Sequence, residues 1–238
     1  MVKLTIDGIQ VEAEKGTSVL HAAESVGIKI PTLCYIKDLL PDGSCRMCMV
    51  EIESRGRTKM ETACTAQVSE GLVVTTNSEK VRNARRNILD MLLSNHKTDC
   101  FSCPSNGDCK LQELCFEYGI ERTTYSGEQT ELPIDDSNKF FTYNPNLCIL
   151  CHRCVNTCHK VVGRGAIDTM ERGFDSAIGT PFHIDWADTN CESCGNCVQA
   201  CPTGALTMKR RKNYRKYQID KKVLTTCPHC ATGCQYYL

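Results

Sequence analysis

The sequence predicts an α+β protein composed of several small domains that metal sites stabilise. Three observations support this prediction. Strand and helix patterns follow one another over residues 1–95, 19 of the 238 residues are cysteines in tight groups, and two cysteine-rich loops repeat. The 6 Phe, 8 Tyr and 1 Trp are too few for one large hydrophobic core. Metal ligation supplies folding free energy where burial of apolar surface cannot.

The N-terminal elements begin with a β-hairpin. Apolar and polar residues alternate on both sides of Asp7-Gly8, a dipeptide typical of two-residue hairpin turns. Thr17 or Ser18 then begins a helix, because a hydroxyl there accepts from a free backbone N–H group, and Gly27 ends that helix.

Two strand-like stretches and a longer helix follow. Residues 49–53 and 72–76 carry β-branched side chains typical of strands. Asn77 or Ser78 begins a helix that runs to about Ser94. A hairpin, a helix and further strands in this order predict a β-grasp arrangement, which is an α+β fold. Four apolar residues at helical spacing support the longer helix: Val81, Ala84, Ile88 and Leu92.

The first cysteine group has the spacing C-x10-C-x2-C-x15-C. Four thiolates bind iron strongly and close a [2Fe–2S] cluster. Gly43 precedes the middle pair and would let the backbone approach the inorganic sulfides. A structural zinc site is the alternative, because C-x2-C alone occurs in both kinds of site. The predicted ligands are Cys34, Cys45, Cys48 and Cys64.

The second group has the spacing H-x3-C-x2-C-x5-C at the end of the longer helix. A neutral imidazole can replace one thiolate of a [4Fe–4S] cluster and so change its charge and potential. Cys115, on a helix-like stretch behind the loop, is the competing fourth ligand; otherwise it is a packed helix cysteine. The predicted ligands are His96, Cys100, Cys103 and Cys109.

The repeat CILCHRCVNTC and CESCGNCVQAC has the spacing C-x2-C-x2-C-x3-C in each half. This is the bacterial ferredoxin run, in which the fourth cysteine ligates the other cluster. A zinc ribbon is the alternative. Pro202 follows the second run as expected, but His159 follows the first, and 32 residues (159–190) separate the halves. Two [4Fe–4S] clusters are predicted, one on Cys148, Cys151, Cys154 and Cys201 and one on Cys158, Cys191, Cys194 and Cys197.

The terminal stretch TCPHCATGCQYYL holds three further cysteines, Cys227, Cys230 and Cys234. A [4Fe–4S] cluster takes four ligands, so we expect the fourth beyond Leu238 or on another chain. A zinc site completed by His229, or a tail without metal, is the alternative interpretation of this group.

Composition excludes several classes of function. The formal net charge is zero, with 28 basic and 28 acidic residues, so nothing global indicates nucleic acid or a membrane surface. No apolar run is long enough to span a bilayer, and no signal peptide is expected. Clustered cysteines therefore indicate reduced thiols, metal ligation and a cytoplasmic location. The run KRRKNYRK (209–216), with Tyr214, is typical of a solvated linker or a docking patch for an acidic redox partner.

The order of these sites carries a family resemblance. The x10 interval departs from the C-x4-C-x2-C of plant-type ferredoxins and resembles complex I large iron–sulfur subunits, some hydrogenases and some formate dehydrogenases. The histidine-containing group resembles the [4Fe–4S] site that follows the β-grasp domain in those families. The terminal C-x2-C-x3-C resembles the opening of a molybdopterin oxidoreductase domain.

Over essentially the whole chain, the order resembles the N-terminal region of cytoplasmic formate dehydrogenase catalytic subunits. The resemblance implies one [2Fe–2S] cluster, three [4Fe–4S] clusters and a fourth [4Fe–4S] cluster that is completed elsewhere. These clusters would carry electrons between a downstream molybdenum or tungsten bis-pterin site and partner subunits. Those partners would be flavin- or NAD(P)-binding, ferredoxin or hydrogenase subunits, and no residue here would be catalytic. The alternative is a standalone electron-transfer subunit of a hydrogenase or NADH dehydrogenase-type complex.

Five segments are predicted from these patterns. They are a β-grasp [2Fe–2S] domain (1–78), a histidine-ligated segment (79–120), a surface connection (121–145), a two-cluster ferredoxin domain (146–208), and a basic linker with the terminal cysteines (209–238).

Overall fold

The computed structural model describes residues 1–210 and 219–238. The basic run at 209–216 was predicted as a linker or docking patch, and all of it after Arg210, Tyr214 included, lies outside the described residues. No helix within the described ranges is both long enough and apolar enough to cross a lipid bilayer.

A five-stranded mixed sheet forms the N-terminal unit, with the strand order β2-β1-β5-β3-β4. β1 pairs with β5 in parallel, and the other neighbours are antiparallel. The N-terminal helix α1 packs its buried face on this sheet in one apolar core. The elements are β1 Val2–Ile6, β2 Ile9–Ala13, α1 Val19–Ser25, β3 Met49–Ser54, β4 Arg57–Thr62 and β5 Leu72–Thr75. The predicted α+β order is confirmed.

The predicted turn and helix start have the expected geometry. Asp7 (φ 47°) and Gly8 (φ 83°) both adopt positive φ, as a two-residue hairpin turn of the primed type requires. The Ser18 hydroxyl accepts from the backbone N–H of His21 at 3.3 Å and so caps α1. Of the two residues considered for the cap, Ser18 is the one used.

Strand β4 was missed by sequence reasoning. It is mostly polar and partly exposed at the edge of the sheet, so it lacks an apolar face that would mark a strand. The available signal was Arg55-Gly56, which makes the β3–β4 turn with φ of 51° and 71°.

Helix α2, Glu79–Ser94, begins at Ser78, whose hydroxyl accepts from the Val81 N–H at 3.2 Å. The three later apolar residues that supported this helix, Ala84, Ile88 and Leu92, are only half-buried. The fully buried stripe is Val81, Arg85, Leu89 and Leu93.

Arg85 is a buried cation that ties three elements together. Its guanidinium donates to the Met49 carbonyl of β3 at 2.7 Å and to the hydroxyl of Tyr118, the residue after a later helix, at 3.0 Å. Helix α3 spans Lys110–Glu117. Bonds from a charged donor are stronger than neutral ones, so Arg85 fixes α2 between the sheet and α3.

A second apolar core joins the N-terminal unit to the rest of the chain. It contains buried residues from the first cysteine loop, from α2 and α3, and from the first loop of the repeat. These are Leu33, Cys34, Cys45, Met47, Leu89, Leu93, Leu111, Leu114, Cys115, Ile149 and Cys151.

The repeat region is built from short elements around a third core. Strand β6 (Phe141–Tyr143) pairs with β9 (Leu206–Met208), and β7 (Asp168–Met170) pairs with β8 (Ala177–Gly179). The Trp186 ring stacks on Tyr143 (5.2 Å, 16°) and meets Phe141 edge-on (4.9 Å, 73°). The helices are α4 Arg153–Asn156, a π-helical turn Thr157–Val162, α5 Asn196–Ala200, and 3₁₀ turns at Pro145–Leu147, Gly173–Asp175, Pro181–His183 and Trp186–Asp188.

The segment predicted as a surface connection, 121–145, needs one correction. Its residues 121–140 are largely exposed, but it ends in β6, whose Phe141 and Tyr143 are core residues. The pattern was missed because a three-residue strand is too short to show a period, and its partner β9 lies more than 60 residues later.

The last described residues form a small hairpin of β10 (Leu224–Thr226) and β11 (Gln235–Tyr237). Its connecting loop, 227–234, carries the three terminal cysteines.

We expect Arg85→Ala to lower the stability of the cluster-loaded protein by about 2 kcal/mol or more, because two charge-assisted hydrogen bonds are lost. In a domain of this size that corresponds to roughly 4–8 °C in Tm, measured by anaerobic thermal unfolding. Arg82→Ala is the matched control, since the exposed Arg82 side chain donates to the Asn77 carbonyl five residues earlier in the chain. Equal shifts in the two variants would contradict the tether role of Arg85.

Candidate iron–sulfur centres

The first cysteine group is brought together at one end of the sheet. All four thiols are buried: Cys34 and Cys45 lie in the loop after α1, Cys48 precedes β3, and Cys64 follows β4. The sulfur atoms of Cys48 and Cys64 lie 3.4 Å apart. Two thiolates with bonds of about 2.3 Å to one tetrahedral metal lie roughly 3.7 Å apart, so this pair fits ligation of one iron.

The thiols form two pairs, as a two-iron centre requires. A hydrogen bond from Cys45 lowers the pKa of Cys34 to about 5, and a hydrogen bond from Cys64 lowers the pKa of Cys48 to about 7. Cys34 raises the pKa of both Cys48 and Cys64 electrostatically, so the two pairs lie near each other.

Gly43 lies beside this group with a φ of 64°. An added Cβ would come within 3.2 Å of the Thr65 side chain, and a left-handed backbone strains other L-residues. Glycine is therefore required here both for conformation and for space, next to the loop that carries Cys45.

The second group contains a buried histidine and three thiols in mutual range. His96 follows α2 and is 7% exposed, and its Nδ1 atom has no hydrogen-bond partner among the described residues. Burial lowers the pKa of His96 to about 4, so the ring is neutral, as a ligand must be. Burial and then Cys103 raise the pKa of Cys100, and burial raises the pKa of Cys109. A buried, neutral imidazole whose Nδ1 has no hydrogen-bond partner among the described residues has the chemistry of a metal ligand.

Cys115, the competing ligand, lies buried on α3. Burial, followed by the nearby Cys109 and Cys100, raises the pKa of its thiol to about 12. The thiol is therefore close to the second group while packing in the second apolar core.

The two halves of the repeat have the same backbone conformation. Two and four residues after the first cysteine of each run, the chain adopts positive φ, at Leu150 (50°) and His152 (58°) and at Ser193 (55°) and Gly195 (75°). Alternation of left-handed residues turns successive N–H groups inward to form an anion-binding concavity.

Backbone N–H groups in both loops point at sulfur. Leu150 N–H donates to Cys148 Sγ and Ser193 N–H to Cys191 Sγ, each at 3.4 Å. Such bonds stabilise the anionic form of a thiolate ligand. The sequence repeat therefore corresponds to two loops in which a backbone N–H group donates to a cysteine sulfur.

The fourth cysteine of each run lies with the other run. Burial and then Cys148, Cys151 and Cys201 raise the pKa of Cys154 well above its ordinary value. Cys158 lines one cavity together with Cys191, Cys194 and Cys197. The crossed ligand sets stay a prediction, and these contacts are the ones they require.

His159, which stands where the first run would have proline, changes the local turn. After Cys158 the chain continues as the π-helical turn to Val162, whereas α5 ends before Cys201-Pro202. Proline cannot supply the N–H that a continuing helix needs, and histidine can. The His159 ring also hydrogen-bonds through Nε2 to the Ile167 carbonyl at 2.9 Å.

Two hydroxyls near the repeat thiols were missed by sequence reasoning. Thr203 Oγ1 lies 3.7 Å from Cys201 Sγ, and the buried Tyr143 hydroxyl, which has no hydrogen-bond partner among the described residues, lies near the Cys148 thiol. Thr203 carried a signal, since it lies two residues after a predicted ligand. Tyr143 carried none, because only the β6–β9 pairing brings it to the site.

The terminal cysteines lie in the β10–β11 loop, where Cys230 and Cys234 are exposed and Cys227 is half-buried. The Cys227 N–H donates to the Cys234 carbonyl at 2.8 Å, which closes the loop. The Thr232 hydroxyl lowers the pKa of Cys230. In residues 1–210 and 219–238, no three or more His, Cys, Asp or Glu side chains are placed to hold a single metal ion.

Four family descriptions match successive parts of the chain. Residues 1–79 match a 2Fe-2S iron-sulfur cluster binding domain, and residues 85–124 match the NADH-ubiquinone oxidoreductase-G iron-sulfur binding region. Residues 140–207 match the ferredoxin-like domain of NADH-quinone oxidoreductase subunit 3, and residues 190–237 match a 4Fe-4S dicluster domain.

Relatives share these regions at substantial identity. A G-type subunit of NADH-quinone oxidoreductase from Rhizobium meliloti is 42% identical over 99% of the chain. The alpha subunit of NADPH-Fe(3+) oxidoreductase of Geobacter sulfurreducens is also 42% identical over 99%. The chain spans 27% of the length of each. A solved structure of NAD+-reducing [NiFe]-hydrogenase in the H2-reduced state superposes with a TM-score of 0.81, at 31% identity over 88% of both chains.

We expect His96→Cys to retain a cluster and to lower its midpoint potential, because a thiolate adds negative charge where the imidazole had none. EPR-monitored redox titration measures this shift. His183→Cys is the control, since that exposed histidine pairs with Glu171 at 2.8 Å. An unchanged titration in His96→Cys, together with loss of the cluster in Cys115→Ala, would assign the ligand role to Cys115 instead.

We expect Cys158→Ala to deplete the cluster held by Cys191, Cys194 and Cys197, because its thiol lies in their cavity. The reciprocal variant, Cys201→Ala, should deplete the other cluster. Iron and sulfide content with EPR distinguishes the two losses. Damage in Cys158→Ala confined to the Cys148 cluster would refute the crossed assignment.

Proposed function

We propose that this chain, which belongs to the family of complex I G-type iron–sulfur subunits, conducts electrons between a nicotinamide-nucleotide-linked partner and a second redox centre. NADPH-Fe(3+) oxidoreductase subunits and NAD-reducing hydrogenase subunits share the N-terminal region of this family. Electron transfer through iron–sulfur clusters in an oxidoreductase complex is common to these relatives. The identity of the two end points is the proposal.

We assign the cluster ligands as follows. When bound, the clusters supply one-electron acceptors and donors, and the chain holds them and tunes their potentials. The sets are Cys34, Cys45, Cys48 and Cys64 for [2Fe–2S], and three sets for [4Fe–4S]: His96, Cys100, Cys103 and Cys109; Cys148, Cys151, Cys154 and Cys201; and Cys158, Cys191, Cys194 and Cys197. Cys227, Cys230 and Cys234 are assigned to a further cluster that a ligand outside residues 1–238 completes.

The packing of three cysteine groups around one buried core is the observation that carries the proposal. Cys34 and Cys45 share that core with Cys151 of the repeat. On the surface above it, Asp42 accepts from Asn156 and pairs with Lys160 at 3.7 Å. The first group is therefore fixed beside one ligand set of the repeat, called here the Cys148 group (Cys148, Cys151, Cys154 and Cys201).

The second group is fixed to the repeat from another direction. The Lys97 N–H donates to the Asn146 carbonyl at 3.1 Å, and the Lys110 N–H donates to the Pro202 carbonyl at 2.8 Å. The Cys148 group is thus in contact with both other groups. Short, fixed separations favour electron transfer, and Cys151 is buried from water while Cys148 is half-buried.

The expected formate dehydrogenase is the second candidate. Its support is the terminal C-x2-C-x3-C, which resembles a molybdopterin-domain motif. The names of the relatives refer to NADH, NADPH, quinone, ferric iron and hydrogen. These names support a hydrogenase or NADH dehydrogenase-type complex better than a formate dehydrogenase. Partner subunits that bind flavin and NAD(P), and a cytoplasmic location, belong to the same proposal.

Anaerobic reduction of the intact complex, isolated from its source, tests the proposal. Samples receive NADH, NADPH, hydrogen or formate, and EPR quantifies the reduced clusters against full reduction by dithionite. We expect NADH or NADPH to reduce them without formate. Reduction by formate but by neither nucleotide would favour the second candidate, and reduction by dithionite alone would overturn both.

A further inference from the structure

The second cysteine group meets the repeat at a single glycine. A Cβ placed on Gly204 would lie 2.7 Å from Cys103 Sγ, 3.3 Å from Leu147 Cδ1 and 3.6 Å from Ser105 Cβ. A separation of 2.7 Å is well inside van der Waals contact, so any larger residue must displace the Cys103 sulfur. The φ of Gly204 lies outside the left-handed region. Close approach, and not backbone conformation, is therefore what requires glycine here.

The turn that carries Gly204 is held firmly on both sides. Thr203 Oγ1 donates to the Leu147 carbonyl at 2.8 Å and lies 3.7 Å from Cys201 Sγ. The Ser105 hydroxyl donates to the Thr203 carbonyl at 3.5 Å. The Pro202 carbonyl accepts from the backbone of Lys110, at the start of α3. A turn fixed in this way cannot move aside to make room for a side chain.

We propose that Gly204 is a positioning residue that sets the separation between the second cysteine group, called here the His96 group (His96, Cys100, Cys103 and Cys109), and the Cys148 group. Its missing Cβ lets the Cys103 sulfur of one group lie against the backbone three residues after Cys201 of the other. This inference rests on the proposed function, since it presumes a cluster on each group. Electron transfer slows steeply with the distance between centres, so the contact at Gly204 determines how fast the two groups exchange electrons.

A merely structural glycine would give different results. If Gly204 only relieves crowding, its substitution lowers stability and leaves the spectra of both clusters and their magnetic interaction unchanged. A positioning role changes the Cys103 environment and the interaction between the two clusters, while the [2Fe–2S] centre, whose ligands do not touch Gly204, stays as it is.

The test uses Gly204→Ala in the full complex, with Gly179→Ala as the matched control. Gly179 likewise has no left-handed φ, and its added Cβ would meet the flexible Met170 side chain at 3.1 Å. Readouts are iron and sulfide content, EPR of the reduced clusters with their spin–spin interaction, and freeze-quench rates of cluster reduction. We expect Gly204→Ala to alter the EPR signal of the cluster at the His96 group and to weaken its spin–spin interaction with the cluster at the Cys148 group. Electron transfer from one of these two clusters to the other should slow at least tenfold. Gly179→Ala should do none of these.

Wild-type protein supplies a second measurement that does not depend on whether the variant folds. When both clusters are reduced, their EPR signals should broaden or split through mutual interaction. Wild-type protein with both clusters but without this interaction, or Gly204→Ala with unchanged spectra and rates, would overturn the positioning role alone. Wild-type protein that holds no clusters would instead overturn the proposed function.

Discussion

The burial of many thiols close to one another is the constraint on which the rest of the structure depends. Burial raises the pKa of Cys148 to about 11 and of Cys151 and Cys197 to about 12, and neighbouring thiols raise the pKa of Cys197 further. Ionised sulfurs in such numbers are stable only around a cationic metal core, which offsets their charge. Metal loading and folding are therefore linked in this chain. The three modest apolar cores can be small because ligation supplies what burial alone would not.

In each half of the repeat, the same backbone conformation directs an N–H group toward a cysteine sulfur. Positive φ at Leu150 and Ser193 turns their N–H groups toward the first sulfur of each loop. Hydrogen bonds to sulfur lower the negative charge that the ligand presents and so influence the potential of a bound cluster. The loops are therefore tuned by conformation, and their side chains are free to differ, as the sequences CILCHRC and CESCGNC do.

Contacts between groups distinguish this chain from separate ferredoxin modules joined in series. Cys34 and Cys151 belong to one buried core, and Cys103 lies against Gly204. Arg85 ties the sheet to α3 across α2. The first and second cysteine groups and the repeat are thus positioned by the same packing that stabilises the fold. A change in that packing is expected to alter the spacing of the centres before it unfolds the protein.

The sequence by itself determined the local features: the Asp7-Gly8 hairpin, the caps at Ser18 and Ser78, and the spacing of the cysteine runs. Each depends on residues close together in the chain, where turn chemistry and ligand spacing leave few alternatives. Only the tertiary structure decided that β4 and β6 are strands, that Tyr143 is buried near the Cys148 thiol, and that Gly204 faces Cys103. These features join residues tens of positions apart, and a local pattern of polarity holds no information about which distant surface will pack against it.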